Sequence, residues 1–137
     1  MDPEKELLRK LEVDLDMVNR KLEALFTTPE IEINWDDYTI TLKIPFDTNG
    51  IRALIVFYYD KEYNDFSRIT IMEKCDPNLY SREFCEGFKH GLHEAFDLLY
   101  TLFDRIGVDN FLREATEILE KLRELREKKK TQKLEQA

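Results

Sequence analysis

The sequence has little of what interrupts regular structure, with four glycines and four prolines among 137 residues. It also lacks any apolar run near the roughly 18 residues that a membrane-spanning helix needs. Its charged start, MDPEKELLRK, has no apolar stretch of the kind found in signal peptides. These absences predict a cytoplasmic protein. With 42% hydrophobic and 36% charged residues, the chain is expected to form a single globular domain over residues 1–137.

Cysteine is scarce as well. Cys75 and Cys85 are the only cysteines, and they lack the CxxC spacing of a zinc site. In an ordinary cytosol both are thiols. Lysine and glutamate are abundant while glutamine occurs only twice, a composition typical of hyperthermophiles, whose proteins do contain internal disulfides. The intervening DPNLYSREF is long enough to fold back, so the sequence leaves both states open.

No catalytic signature is present, and the net charge of −8 restricts the partners further. This charge argues against a general electrostatic grip on nucleic acid or on an anionic membrane, although it is compatible with a local basic patch. His90 and His93, in HGLHE, match neither the HExxH motif of zinc proteases nor the ExxH motif of di-iron bundles. We therefore expect no enzyme activity, no catalytic residue, no metal site and no cofactor.

A first helix is predicted from Asp2, which can cap it, and from Pro3, which suits its first position. Apolar residues follow at alternating spacings of three and four, and TTPE ends the helix near residue 27. This seam comprises Leu8, Leu11, Leu15, Val18, Leu22 and Leu25. It is typical either of a helix that lies on a sheet or of an intermolecular coiled coil.

Residues 30–74 alternate with a period of two, which predicts an antiparallel meander of four strands. Two turns are predicted, one at Asp36-Asp37 and one at the NG of residues 49–50. Both turns place the same apolar residues on one face of the sheet, which is the predicted core. The predicted pairs are Trp35–Tyr38, Ile33–Ile40, Ile31–Leu42, Ile44–Ile55, Leu42–Phe57 and Ile40–Tyr59. In the fourth strand, SRITIMEK, we expect Ile69 and Ile71 to point inward.

The apolar stripe of residues 78–106 predicts one helix, started by Asp76-Pro77. Gly87 and Gly91 fall on the edge of that stripe, which favours a close helix crossing; a ligand against bare backbone is the alternative.

Gly107 ends this helix, and Asp109 is expected to cap the next one. Residues 108–137 then form a C-terminal oligomerisation helix with a leucine-zipper-like seam. Its oligomerisation residues are Ile118, Leu122 and Leu125. The whole layout is an α+β domain: an N-terminal helix, a four-stranded antiparallel meander and two C-terminal helices, with residues 1–107 as its body.

The second face of the sheet is the candidate site, because the third strand, RALIVFYYD, is apolar on both faces. Either the first helix or a partner chain covers this face, or it is an exposed platform on which bases stack while basic residues hold phosphates. For the platform, the candidate nucleic-acid-binding residues are Lys43, Arg52, Leu54, Val56, Tyr58, Tyr63, Phe66 and Arg68.

This layout and composition resemble the ThermoDBP family of single-stranded-DNA-binding proteins from hyperthermophilic archaea. The resemblance covers most of the chain, from the meander through NFLREATEILEKLRELREKKK, but it includes no short signature, so no residue role is carried over. It implies a sheet packed with helices, a leucine-zipper helix for self-association, and a cleft with an aromatic, apolar floor and a basic rim. The acidic net charge departs from this pattern and would require the basic residues to be segregated into the cleft.

The first expected function is therefore binding of single-stranded DNA or RNA with low sequence specificity by a homodimer or higher homo-oligomer. The alternative is a non-enzymatic adaptor or scaffold protein that uses its helices and its sheet face for protein–protein contact. No feature of the sequence points to a small-molecule substrate or to a membrane partner.

Overall fold

A computed structural model describes residues 2–136 of the chain. It confirms the predicted α+β class: an N-terminal helix, a four-stranded antiparallel sheet and C-terminal helices, which number three rather than two. The elements are α1 (Pro3–Glu23), β1 (Glu30–Asn34), β2 (Thr39–Thr48), β3 (Ile51–Asp60), β4 (Asp65–Cys75), α2 (Arg82–Glu94), α3 (Phe96–Ile106) and α4 (Val108–Gln136). Within the described residues, no helix is long and apolar enough to cross a membrane.

The strand order is β1-β2-β3-β4, so every strand pairs with its neighbours in the sequence, as predicted. The register is also the predicted one for Ile33–Ile40 and for Leu42–Phe57. Both Leu42 and Phe57 are fully buried. The face that carries them is called the inner face below, and the opposite face is called the outer face.

Trp35, at the β1–β2 turn, is an exception to this agreement. It was expected to point into the core, but it is 41% exposed. The strand ends one residue earlier, and the indole instead packs edge-on against Tyr38, with the guanidinium of Arg126 5.2 Å from its ring centre.

In β4 the predicted orientation is wrong. Phe66, Arg68 and Thr70 point to the inner face, where Phe66 is buried in the core. Ile69 and Ile71 lie on the outer face instead, and they are 48% and 42% exposed. A change of one residue in register moves every side chain of a strand to the other face, so this single error reverses the whole strand.

The β3–β4 turn accounts for the reversal. Asp60 pairs with Asp65, which leaves a turn of residues 61–64 that ends at Asn64, whose φ is +50°. This turn aligns Tyr59 with Phe66, so both aromatic rings reach the inner face.

All four helices lie on the inner side of the sheet. Buried side chains from α1, α3 and α4 form one core cluster with Leu42 and Phe57. Helix α2 contacts the sheet through Phe88, whose ring lies 5.4 Å from that of Phe46. Five of the six predicted seam residues of α1 pack within the domain, mainly against α4 and at the β1 edge. The sixth, Leu25, lies beyond the end of the helix, which is at Glu23 rather than near residue 27, and is 49% exposed. Hence α1 does not cover the outer face.

The N-terminal turn of α1 is tied to α4. Asp2 caps α1 as predicted, since its carboxylate accepts a hydrogen bond from the Glu4 amide at 3.0 Å. The Glu4 carboxylate in turn accepts hydrogen bonds from Lys129 at 2.7 Å and from Arg126 at 3.0 Å. These bonds lower the pKa of Glu4, which favours the charged form that makes them.

The predicted single helix over 78–106 is wrong in two respects. The helix starts later than predicted, because the backbone carbonyl of Asp76 accepts a hydrogen bond from the Tyr80 amide and so forms a turn. Ser81 caps the helix instead, since its hydroxyl oxygen accepts a hydrogen bond from the Phe84 amide. It is also divided at Ala95. Helix α2 follows the end of β4, whereas α3 is reoriented so that Phe96 packs 5.2 Å from Phe57.

The close crossing predicted at Gly87 and Gly91 is absent from the described residues. Both glycines are exposed, and an added Cβ at either would have no neighbouring group within 4 Å. The reason is that α2 lies at the rim of the domain and contains no buried residue. A disulfide between Cys75 and Cys85 joins the end of β4 to the first turns of this helix, which resolves the two states left open by the sequence.

The seam of α4 is covered by the chain itself. Ile118 and Leu122 are only 5% and 0% exposed, and Leu125 is half-buried. The sequence analysis assigns this seam to self-association, but α1, α3 and the sheet all pack against α4. In this fold Ile118 and Leu122 are therefore not available to a partner, while self-association as such stays a prediction. Helix α4 also starts at Val108, one residue before the predicted cap.

Candidate functional site on the outer face of the sheet

The outer face is the surface of the sheet that the helices leave uncovered. Strand alternation places on it the side chains that point away from the core. Its central members are Thr39, Thr41, Lys43, Arg52, Leu54, Val56, Tyr58, Ser67, Ile69 and Ile71. This face is continuous from β2 to β4 because the three strands pair with only one irregularity, beside Arg52.

Four aliphatic residues form the centre of the outer face, and we call them the aliphatic patch: Leu54, Val56, Ile69 and Ile71. They lie opposite each other in two cross-strand pairs, Val56 with Ile69 and Leu54 with Ile71. The two isoleucines are the more exposed members, since β4 is an edge strand. Contiguous exposed apolar surface on a folded chain marks an interaction site more often than isolated apolar residues do.

Two basic residues at the border of the patch, Lys43 and Arg52, have acidic partners, whereas Lys74, opposite Arg52 on β4, forms no salt bridge within residues 2–136. Lys43 forms an ion pair with Glu32 across the β1–β2 pair, and this contact raises the pKa of Lys43. Arg52 lies 3.8 Å from the Asp47 carboxylate. These neighbours reduce the positive field that Lys43 and Arg52 present to a ligand.

The structure brings together five of the eight candidate nucleic-acid-binding residues: Lys43, Arg52, Leu54, Val56 and Tyr58. Tyr63 is 73% exposed, but it lies apart in the β3–β4 turn.

The remaining two candidates, Phe66 and Arg68, belong to the inner face. The Phe66 ring stacks 5.0 Å from that of Phe57, and the Arg68 guanidinium lies 4.5 Å above the ring of Phe96. The predicted surface therefore loses one aromatic ring and one cation.

Ile69 and Ile71 are the members that sequence reasoning missed. A signal for them exists in the β3–β4 connection. A hairpin with a four-residue turn before Asp65 pairs Tyr59 with Phe66, and strict alternation from there sends Ile69 outward.

Among residues 2–136, no group of three or more His, Cys, Asp or Glu side chains is placed to hold a metal ion. His90 has a glutamate neighbour, Glu94, at 3.9 Å on the same helix.

Comparison with known proteins adds no constraint to this picture. The resemblance to the ThermoDBP family stays a prediction based on layout and composition. No protein-family model, curated protein or solved structure matches the chain.

Proposed function

We propose that the chain is a non-enzymatic interaction protein that assembles with a second copy of itself through the outer face. The observation that carries this proposal is the aliphatic patch, whose four members lie outside the core cluster that the helices form with the sheet. It corresponds to the adaptor or scaffold alternative raised by the sequence, with the sheet face rather than α4 as the contact surface.

A second copy suits this surface for two reasons. Two sheets pack well face to face when each offers flat aliphatic side chains, as in a β-sandwich. The ion pairs Lys43–Glu32 and Arg52–Asp47 compensate the charge of two cations at the border of the patch, which reduces the charge repulsion between two identical faces. Burial of the exposed parts of Ile69 and Ile71 then supplies a favourable apolar contribution on both sides of a two-fold axis.

Measurement of the molar mass by light scattering over a range of protein concentrations tests the proposal. We expect a dimer for the wild type and a monomer for Ile69→Lys, because the substitution places a charge in the centre of the contact. Leu98→Lys is the matched control, since Leu98 is an aliphatic residue on α3 that is 78% exposed. A wild-type chain that stays monomeric at all concentrations, or an Ile69→Lys chain that stays dimeric, contradicts the proposal.

A second candidate is single-stranded nucleic acid. It is favoured by Tyr58, whose ring shares the outer face with the hydroxyls of Thr39 and Thr41 and with Lys43. An aromatic ring beside a cation is the arrangement on which unpaired bases stack while a phosphate is neutralised. The loss of Phe66 and Arg68 from this surface, together with the ion pairs of its cations, makes nucleic acid the second rather than the first candidate.

Fluorescence anisotropy with a short labelled oligonucleotide at two salt concentrations separates the two candidates. Binding that weakens by about 1–3 kcal/mol in Tyr58→Ala would favour nucleic acid. Absence of binding at high micromolar protein, combined with a dimer that Ile69→Lys dissociates, would favour the homodimer.

A further inference from the structure

An open pocket lies on the other side of the sheet, between the β4 edge and α2. Its volume is about 310 Å³, and it is lined by Thr70 from β4 and by Glu86, Lys89, His90 and His93 from α2. We call it the α2 pocket. It is distinct from the outer face, because Thr70 points to the inner side of the sheet while its neighbours Ile69 and Ile71 point away from it.

The base of the pocket holds a hydroxyl group without an internal partner. Thr70 is only 7% exposed, and within the described residues its Oγ1 makes no hydrogen bond. Buried hydroxyl groups are almost always hydrogen-bonded, so an unpartnered hydroxyl beside this pocket is a position where a ligand acceptor atom would be favourable.

The wall of the pocket carries side chains that can donate hydrogen bonds, and one of them, Lys89, is positively charged. Lys89 forms no salt bridge within residues 2–136. His90 and His93 contribute two imidazoles on the same helix. Glu86, the acidic member, is already engaged by Arg82, whose Nε donates a hydrogen bond to its carboxylate at 3.2 Å. His90 also has the Glu94 carboxylate at 3.9 Å.

We propose that the α2 pocket binds a phosphate group. An ammonium, two imidazoles and a hydroxyl are all able to donate hydrogen bonds, and a phosphate offers several strong acceptor oxygens together with negative charge. Lys89 supplies the charge attraction, the imidazoles contact the outer oxygens, and Thr70 donates from the base. Arg82 holds the carboxylate of Glu86, which reduces its repulsion of the bound anion.

The experiment is a titration with inorganic phosphate at constant ionic strength and pH, in which the ring signals of His90 and His93 are followed by NMR. We expect saturable shifts of both signals. Lys89→Gln should weaken the affinity about tenfold, as the loss of one charge-assisted hydrogen bond implies. Thr70→Val should weaken it roughly three- to tenfold, because it removes the hydroxyl but keeps the shape. Lys10→Gln, a neutralised lysine on α1, is the matched control and should bind as the wild type does.

Because Lys89 is exposed on α2, its substitution leaves the fold intact, and the proposal does not depend on the behaviour of Thr70→Val alone. Shifts that rise linearly without saturation, or equal affinities in wild type and Lys89→Gln, would overturn the assignment. Competition by a short oligonucleotide without terminal phosphates would assign the pocket to phosphodiesters of a nucleic acid. Competition only by phosphomonoesters would assign it to free phosphate or a small phosphorylated molecule. Both results support the pocket, and neither depends on dimerisation through the outer face.

Discussion

Helices α2 and α4 lie on the same side of the sheet, yet they are held there by different means. Helix α4 contributes seven buried side chains to the core: Val108, Phe111, Leu112, Ala115, Ile118, Leu119 and Leu122. Helix α2 contributes none, and it is attached by the disulfide from Cys75 to Cys85 and by the contact of Phe88 with Phe46. In the sequence, both helices carry an apolar stripe at helical spacing. Periodicity therefore identifies a helix and its apolar side, but not how much surface that side buries.

The largest expected effect is a difference in the free energy of unfolding between two leucine-to-alanine variants, one in each helix. Leu122→Ala in α4 should lower the free energy of unfolding by about 2–5 kcal/mol, because Leu122 is fully buried and leaves a cavity. Leu92→Ala in α2 should lower it by no more than about 1 kcal/mol, since Leu92 is only half-buried. Chemical denaturation of the two variants measures both values, and losses of equal size would contradict the contrast between the helices.

The second prediction concerns the covalent attachment of α2. The bridge closes a loop with a sequence separation of 10 residues. Its removal in the Cys75→Ser, Cys85→Ser double variant should cost about 2–3 kcal/mol through the added freedom of the unfolded chain.

Hydrogen exchange sharpens this prediction, because the folded chain should also respond locally. In the double variant the amides of α2 should lose protection, whereas those of α4 should keep theirs, since apolar burial holds α4 independently of the bridge. The control is alkylation of the denatured, non-reduced wild type. Two labelled thiols would show that the bridge is not formed, and uniform loss of protection in both helices would contradict local attachment.

The parts of the fold that the sequence predicted are those specified by short-range signals. The cap at Asp2 and the NG turn at 49–50 each fix their neighbours through local backbone geometry, and both are observed. The inner-face residues Leu42 and Phe57 follow from these turns by alternation alone. This explains why the register of three strands was predicted correctly.

The parts that it did not predict depend either on a turn of unmarked length or on contacts between distant segments. The orientation of β4 depends on a four-residue turn whose length is not marked by a glycine, so Ile69 and Ile71 were assigned to the wrong face. Burial of Leu122 depends on α1, which lies about a hundred positions earlier in the sequence. For the candidate site, Leu54, Val56 and Tyr58 followed from alternation within one strand, but the ion pair of Lys43 with Glu32 requires the cross-strand geometry.

The third prediction has the smallest expected effect and concerns the glycines of α2, which are exposed rather than packed against another helix. Gly91→Ala should raise the free energy of unfolding by up to about 1 kcal/mol, because alanine has the higher helix propensity and the new methyl group meets no neighbour within 4 Å. A close helix crossing at this position would have the opposite sign, since the methyl group would be forced against another backbone. Gly107→Ala is the matched control. Gly107 has a φ of +81°, where alanine is strained, so this variant should be less stable than the wild type. Thermal denaturation of both variants is the measurement, and a lower melting temperature for Gly91→Ala would show that α2 packs more closely than its exposed surface indicates.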